Sequence, residues 1–389
     1  MKQKTLSKKE LSFIIMISLA LGIRQMSMTL VMPFISTYSK TLAYNTSFLA
    51  GVSLGAFGIA QAIFQIPYGR LSDKIGNKPV VLMGLMQVVI GLLVAYFARN
   101  IYVLIFARFL QGSGAIIGSA YSWVFSSTTE NNRINAIGIL GSFIAVFAAI
   151  SFAIGPVANS FVSVDKMFLI CSIILFVNCL YILFFLKEDK SIKENKKISS
   201  LSHDFKILFK SKSFICSNLC AFINNFIMVS VFYFLPFLLH KVTGEYGMWK
   251  VFFPSIILAI LFMKISIKIC KNRKTSSIIV ISFLIILIGN LLYFKSNNFI
   301  YLLTGTILFM CGYVCLATLT ANNANDVIDE NCRGTGNGVF NSFQYIGSFL
   351  GGILAGAIWT ISETGVIISV IIASILGILI ALKGSQFNY

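Results

Sequence analysis

Twelve apolar runs follow one another along this chain, at 11–36, 47–69, 79–98, 101–125, 134–160, 165–186, 213–239, 250–270, 276–294, 299–325, 334–360 and 364–382. Each is close to the ~20 residues that a helix needs to cross the ~30 Å hydrocarbon core of a bilayer. Inside hydrocarbon every backbone N–H and C=O must be satisfied by the chain itself, so segments of this kind fold as helices. Of the 389 residues, 57% are hydrophobic and only 11% are charged, against about 25% charged in a soluble domain. The sequence predicts an all-α membrane protein of twelve transmembrane helices.

The net charge of +18 invites a nucleic-acid partner, but the placement of the cations argues against one. With the N-terminus on the cytoplasmic side, 23 of the 31 Lys and Arg fall on that side, six fall outside and two lie within spans. This is the positive-inside bias, and it puts both termini in the cytoplasm. Basic loops beside anionic headgroups need no nucleic acid to account for them. The eight cysteines include no C-x-x-C pair and show no metal spacing; they read as small packing residues. No metal or cofactor is expected.

Residues 69–79, Gly-Arg-Leu-Ser-Asp-Lys-Ile-Gly-Asn-Lys-Pro, separate the second and third runs. A stretch with Asp73 and three cations cannot sit in hydrocarbon, so a tight loop at the membrane surface is expected there. Its glycines would let helix ends approach closely, and Asp73 would offer a carboxylate to a helix N-terminus or a cation. The stretch resembles the loop between spans two and three of the major facilitator superfamily, G-x-L-x-D-(R/K)-x-G-(R/K)-(R/K). It matches at Gly69, Leu71, Asp73, Lys74, Gly76 and Lys78, and departs at Asn77. Span four reads Arg108-Phe-Leu-Gln-Gly-Ser-Gly-Ala115 and resembles the superfamily signature R-x-x-Q-G-x-G-A, complete through Gln111 and Gly112. Leu30-Val-Met-Pro33 in span one is similar to the drug:proton antiporter branch.

The halves of the chain repeat. Glu130-Asn-Asn-Arg133 precedes span five and Glu330-Asn-Cys-Arg333 precedes span eleven, and the offset of 200 continues through Gly138/Gly338 and Ser142/Ser342. Pro33 in span one and Pro236 in span seven lie 203 apart. The resemblance and the repeat together imply two pseudo-symmetric six-helix bundles, 1–186 and 213–389, joined by a cytoplasmic linker at 187–212. The cavity would be lined mainly by spans one, four, seven and ten. Gly69, Asp73, Lys74, Gly76, Lys78, Glu130, Arg133 and Arg333 are the expected gating elements.

Arg24 and Arg108 are the two charges placed inside spans. An arginine there costs several kcal/mol and is kept only if it faces the bundle interior or a wet cavity. Gln111, at i+3 from Arg108, shares its face. In the antiporter branch this arginine is implicated in proton coupling. Arg24 suits an anionic or carbonyl-bearing substrate, or repels protons. Gln61, Gln65, Asn224, Asn225, Asn322, Asn323, Gln344 and Tyr345 are the remaining polar candidates, of which Gln61, Gln65, Asn225 and Asn322 are carried forward as site residues. Gly155-Pro156 in span five marks a kink and a close packing site. It stands where the antiporter branch carries a longer glycine series, here replaced by Ser142, Ser151, Asn159 and Ser160. None of the 13 acids falls near the middle of a span, so no coupling acid stands out.

The resemblance implies a monomeric secondary transporter of the bacterial cytoplasmic membrane, exporting small amphipathic compounds in exchange for protons by alternating access. The alternative is a dedicated exporter or importer of one metabolite, such as a siderophore or a sugar; a transport-dead sensor stands behind both. An enzyme is not expected, since no nucleophile–base pair, metal cluster or phosphate loop is present.

Overall fold

The computed structural model describes residues 7–129, 132–186, 201–244, 247–270, 275–328 and 333–385. These residues fold into helices α1 (Lys8–Thr29), α2 (Ile35–Ser39), α3 (Ser47–Ile75), α4 (Asn77–Tyr96), α5 (Ile101–Ser113), α6 (Ile117–Ser126), α7 (Arg133–Asn159), α8 (Val164–Phe185), α9 (Leu201–Leu208), α10 (Lys212–Thr243), α11 (Trp249–Cys270), α12 (Thr275–Leu292), α13 (Phe299–Asp326), α14 (Arg333–Trp359) and α15 (Glu363–Ser385). Among the described residues, eleven segments are long and apolar enough to cross a membrane. The twelfth, α14, has the length; its Gly, Ser, Asn and Gln content makes it less apolar.

Short polar side chains start several of these helices. Thr46, Asn100, Ser211 and Asn298 each accept a hydrogen bond from a first-turn backbone N–H. At α1, Ser7 and Glu10 form a reciprocal capping box. The Glu10 carboxylate also accepts from the Thr129 backbone N–H at 2.8 Å, tying the start of α1 to the turn after α6.

Two spans are interrupted. Span one is α1 followed by a 3₁₀ turn at Met32–Phe34, holding Pro33, and then α2. Span four is α5 and α6, separated by Gly114-Ala115-Ile116. Pro236 and Pro156, by contrast, lie inside helices α10 and α7 that run through them.

The 69–79 stretch is not the loop that its polarity suggests. α3 continues to Ile75 and α4 begins at Asn77, with Gly76 alone between them at φ 100° and ψ 161°. That backbone region is open essentially to glycine only, and other residues strain there by about 1–3 kcal/mol. Gly76→Ala is expected to lower the thermal unfolding temperature of the purified protein. Gly69→Ala should leave it unchanged, because a Cβ at Gly69 would meet nothing within 4 Å. Equal effects from both substitutions would dismiss the strain argument.

Call the end of the bundle that holds Ser7, Ile75 and Thr129 the near end, and the opposite end, with Ser39 and Trp359, the far end. The two six-helix bundles meet at the far end. There α3 crosses α14 with backbone against backbone: a Cβ on Gly51 would lie 2.2 Å from the Gly352 carbonyl oxygen, and one on Gly55 would lie 2.7 Å from that of Phe349. Tyr233 on α10 donates to the Ser47 carbonyl at 2.9 Å, Phe152 on α7 stacks on Phe232 at 5.1 Å, and Lys40 lies 3.9 Å over the Phe237 ring. At the near end Gly69, Gly138 and Gly338 each face open space. The last two are partners in the sequence repeat, and each carbonyl accepts from the serine four residues on, Ser142 at 2.8 Å and Ser342 at 2.9 Å.

Candidate functional site

The interruption of span four organises the polar interior of the first bundle. Gly112 and Gly114 let α5 press against its neighbours: a Cβ on Gly112 would lie 2.2 Å from the Phe57 carbonyl oxygen, and one on Gly114 would lie 2.4 Å from that of Gly84. Both intramembrane arginines attach to this element. Arg108, 1% exposed, donates to Gln111 Oε1 at 2.7 Å and lies 5.1 Å from the Phe57 ring centroid. Gln111 in turn donates to the Gly91 carbonyl on α4 at 3.1 Å. Arg24, also 1% exposed, donates to the Gly114 carbonyl at 2.7 Å and to Gln61 Oε1 at 3.5 Å. Among the described residues, neither arginine bonds a carboxylate.

The arrangement leaves buried hydrogen-bonding groups unused. Arg24 Nε, Gln61 Nε2, Gln65 Oε1 and Arg108 Nε have no partner among the described residues. A buried polar atom without a partner costs about 1–3 kcal/mol, so a concentration of them marks a place built to meet something else. Tyr345, on α14 of the other bundle, is partly exposed and pairs edge-on with Phe57 at 6.2 Å.

The other predicted residues divide. Lys78 caps the end of α8, donating to the Leu183 and Leu186 carbonyls at 2.8 and 2.6 Å. Arg133 lies over the Phe125 ring at 4.1 Å. Asp73 and Lys74 are exposed at the near end. Glu130 and Glu330 lie outside the described residues, as does the side chain of Arg333. Gly155 brings α7 onto span one, where a Cβ would lie 2.6 Å from the Leu30 carbonyl oxygen; Pro156 is buried beside it. Asn225 donates back to the Ala221 carbonyl of its own helix at 3.0 Å, whereas Asn224 reaches α13 through the Tyr313 carbonyl at 3.2 Å. Asn322 is exposed; its neighbour Asn323 bonds Ser217 across to α10 at 2.9 Å. Two features escape the sequence reading. One is the Gly114 carbonyl as the target of Arg24. The other is Asp204 on α9, in the linker, which accepts from Thr335 in the first turn of α14 at 2.9 Å.

The described residues hold no group of three or more His, Cys, Asp or Glu placed to bind a metal ion. The sequence model of the Major Facilitator Superfamily matches residues 17–352. A Buchnera aphidicola (subsp. Baizongia pistaciae) protein named an uncharacterized transporter is 30% identical over 92% of this chain and 91% of its own length. The Bacillus subtilis Multidrug resistance protein 2 is 27% identical over 51% of this chain and 49% of its own. The crystal structure of a bacterial homolog of the human lysosomal transporter Spinster, inward-facing and unoccupied, superposes with a TM-score of 0.77 at 13% identity, over 98% of both chains. Two bundles meeting along a glycine seam, a complete span-four signature with its arginine buried, and a family match over most of the sequence lead to one conclusion: this chain belongs to the Major Facilitator Superfamily of membrane transporters.

Proposed function

We propose that the protein is a secondary active exporter of small amphipathic compounds, driven by protons and working by alternating access in a bacterial cytoplasmic membrane. The observation that carries this reading is the backbone-to-backbone contact of the bundles at the far end. They are joined there by the α3–α14 seam, whereas the near-end glycines Gly69, Gly138 and Gly338 have no atom packed on them. With the termini in the cytoplasm, as the cation bias argues, this is the cytoplasm-open state of such a cycle. The multidrug character rests on the span-one and span-four motifs and on the partial similarity to the Bacillus protein.

A proton-driven exporter needs a titratable group that reaches both sides. Asp73 at the near end is the described candidate, and His240 at the far end is the other. Arg108 stays cationic through the cycle, because a guanidinium does not release its proton near neutral pH. Its part is to orient Gln111 and the local water.

A flux assay tests the reading. Purified protein in proteoliposomes, given a pH gradient, should move amphipathic dyes, and dissipating the gradient should stop it. No flux of any solute under a gradient overturns transport. Flux of one metabolite with no dye movement favours the dedicated transporter, a reading that the buried, unneutralised charge of Arg24 supports. Orientation is tested separately. Thr129→Cys and Val327→Cys should react with an impermeant maleimide from the cytoplasmic side only; reaction from outside intact cells reverses the topology.

A further inference from the structure

We propose that the break in span four is an anion-binding site that anchors the carboxylate, or an equivalent anionic group, of the transported compound. This rests on the transport reading above and assigns its site a ligand class.

Three sets of donors converge on Gly114-Ala115-Ile116. The first is Arg24, which crosses from α1 to the Gly114 carbonyl. With the longer contact to Gln61 Oε1, both bonds come from Nη2, two of its five N–H donors, and Nε is buried without a partner. The second is the start of α6. This ten-residue helix begins at Ile117 with no side-chain cap. The first N–H groups of any helix lack intrahelical acceptors, and the helix dipole makes that end attractive to negative charge. The third is the pair of glutamines on α3. Gln61, 0% exposed, has an unpartnered Nε2 donor while its oxygen faces Arg24. Gln65, 4% exposed, places Nε2 3.5 Å from where a Cβ on Gly118 would lie, so its amide covers the first turn of α6.

The charge balance fixes the ligand's sign. A buried guanidinium is held by two neutral oxygens, one of them the Gly114 carbonyl at the negative end of α5, and by no described carboxylate; the partial charges of the α5 end and the α6 start offset each other and leave the full positive charge of Arg24 at the break. A cationic group would be repelled by it. An anion takes the spare Arg24 and Gln61 donors and the opening amides of α6 together. Gln65 Oε1, the unpartnered acceptor, then takes a hydroxyl or N–H next to the anionic group. Phe57, whose backbone packs against Gly112 two residues before the break, pairs edge-on with Tyr345 of the other bundle, which puts apolar, aromatic surface next to the site. The compound is therefore an amphipathic anion, with its charged end at the break.

The test uses the purified full chain and a matched set of small probes: 3-phenylpropionate, 3-phenylpropanol and 3-phenylpropylamine. Thermal unfolding is followed against probe concentration. The carboxylate should raise the unfolding temperature in a saturable way, and the alcohol and the amine should not. Arg24→Gln should weaken the apparent affinity for 3-phenylpropionate by about tenfold or more, since a hydrogen bond to a charged group is worth about 1.5–3 kcal/mol. Gln61→Leu should weaken it less. Gly118→Val is the variant that keeps the test decisive if Arg24→Gln fails to fold. A Cβ at Gly118 has room, its nearest neighbour being Gln65 Nε2 at 3.5 Å, and the two valine methyls beyond it would lie over the first turn of α6. The variant should leave unliganded unfolding unchanged and abolish the carboxylate effect.

Equal stabilisation by the amine, or a carboxylate effect untouched by Arg24→Gln and Gly118→Val, overturns the site. So does the absence of any carboxylate effect on the wild type; the unused donors then serve water alone. Flux on the same preparations separates this from the transport reading. Dye flux under a pH gradient without anion binding removes the site and leaves transport standing. Arg24-dependent anion binding in a protein that moves no solute does the reverse.

Discussion

Gly352→Val should unseal the far end of the molecule and reduce transport more than tenfold. Gly352 and Gly51 face each other across the α3–α14 crossing, and a Cβ at Gly352 would lie 2.6 Å from the Gly51 carbonyl oxygen and 2.8 Å from the Gly55 nitrogen. Both neighbours are helix backbone, which cannot swing aside as a flexible side chain would. A further side chain in a packed interface costs about 1–3 kcal/mol, and about 1.4 kcal/mol is a factor of ten in a conformational equilibrium. The state closed at the far end should become a minority state. The check uses Ser36→Cys, in a background without the native cysteines. Ser36 is buried in the seal and donates to the Phe232 carbonyl at 3.4 Å. The cysteine should resist an impermeant maleimide added outside, and react when Gly352→Val is added. Continued protection in the double variant would mean that the glycine contacts do not hold the seal.

Arg108→Lys should lose most transport while the protein still inserts and purifies. The guanidinium spans two jobs at once: Nη1 holds Gln111, and its planar face lies against Phe57. A lysine ammonium is a compact, strongly hydrated charge that reproduces neither the plane nor the fork of donors. Gln111 would then be anchored only through Gly91, and α5 would lose the fixed geometry that leads into the break at Gly114. A flux below about one tenth of wild type, at equal protein per vesicle, is expected. Near-normal flux with a lowered unfolding temperature would make Arg108 a packing residue.

The sequence made the membrane class and the shared face of Arg108 and Gln111 legible, because hydropathy and helical spacing are local signals; the two-bundle fold came from the 200-residue repeat and the family resemblance. Other parts were hidden for physical reasons. The break at 114–116 carries no proline, and Gly-x-Gly-Ala reads equally well as a close-packing face of an unbroken helix. The partner of Arg24 is a backbone carbonyl, which leaves no trace in residue identity. The seam joins glycines about 300 positions apart, each unremarkable within its own span. The polarity of residues 69–79 gave a surface position correctly, but it did not show that helical hydrogen bonding continues through Asp73 to Ile75. Asn322 and Asn323 look equivalent as letters; the turn of α13 presents only the second to α10.

The glycine seam has a consequence for how the molecule responds to its surroundings. Its core is backbone on backbone, held by dispersion and close Cα–carbonyl approach rather than by buried charges. Parting it strands no ion and leaves few side chains to re-sort. In the proposed alternating-access cycle, opening this seam would break no ion pair among the described residues that form it, so salt should act on it only through exposed groups at its rim such as Lys40 over Phe237.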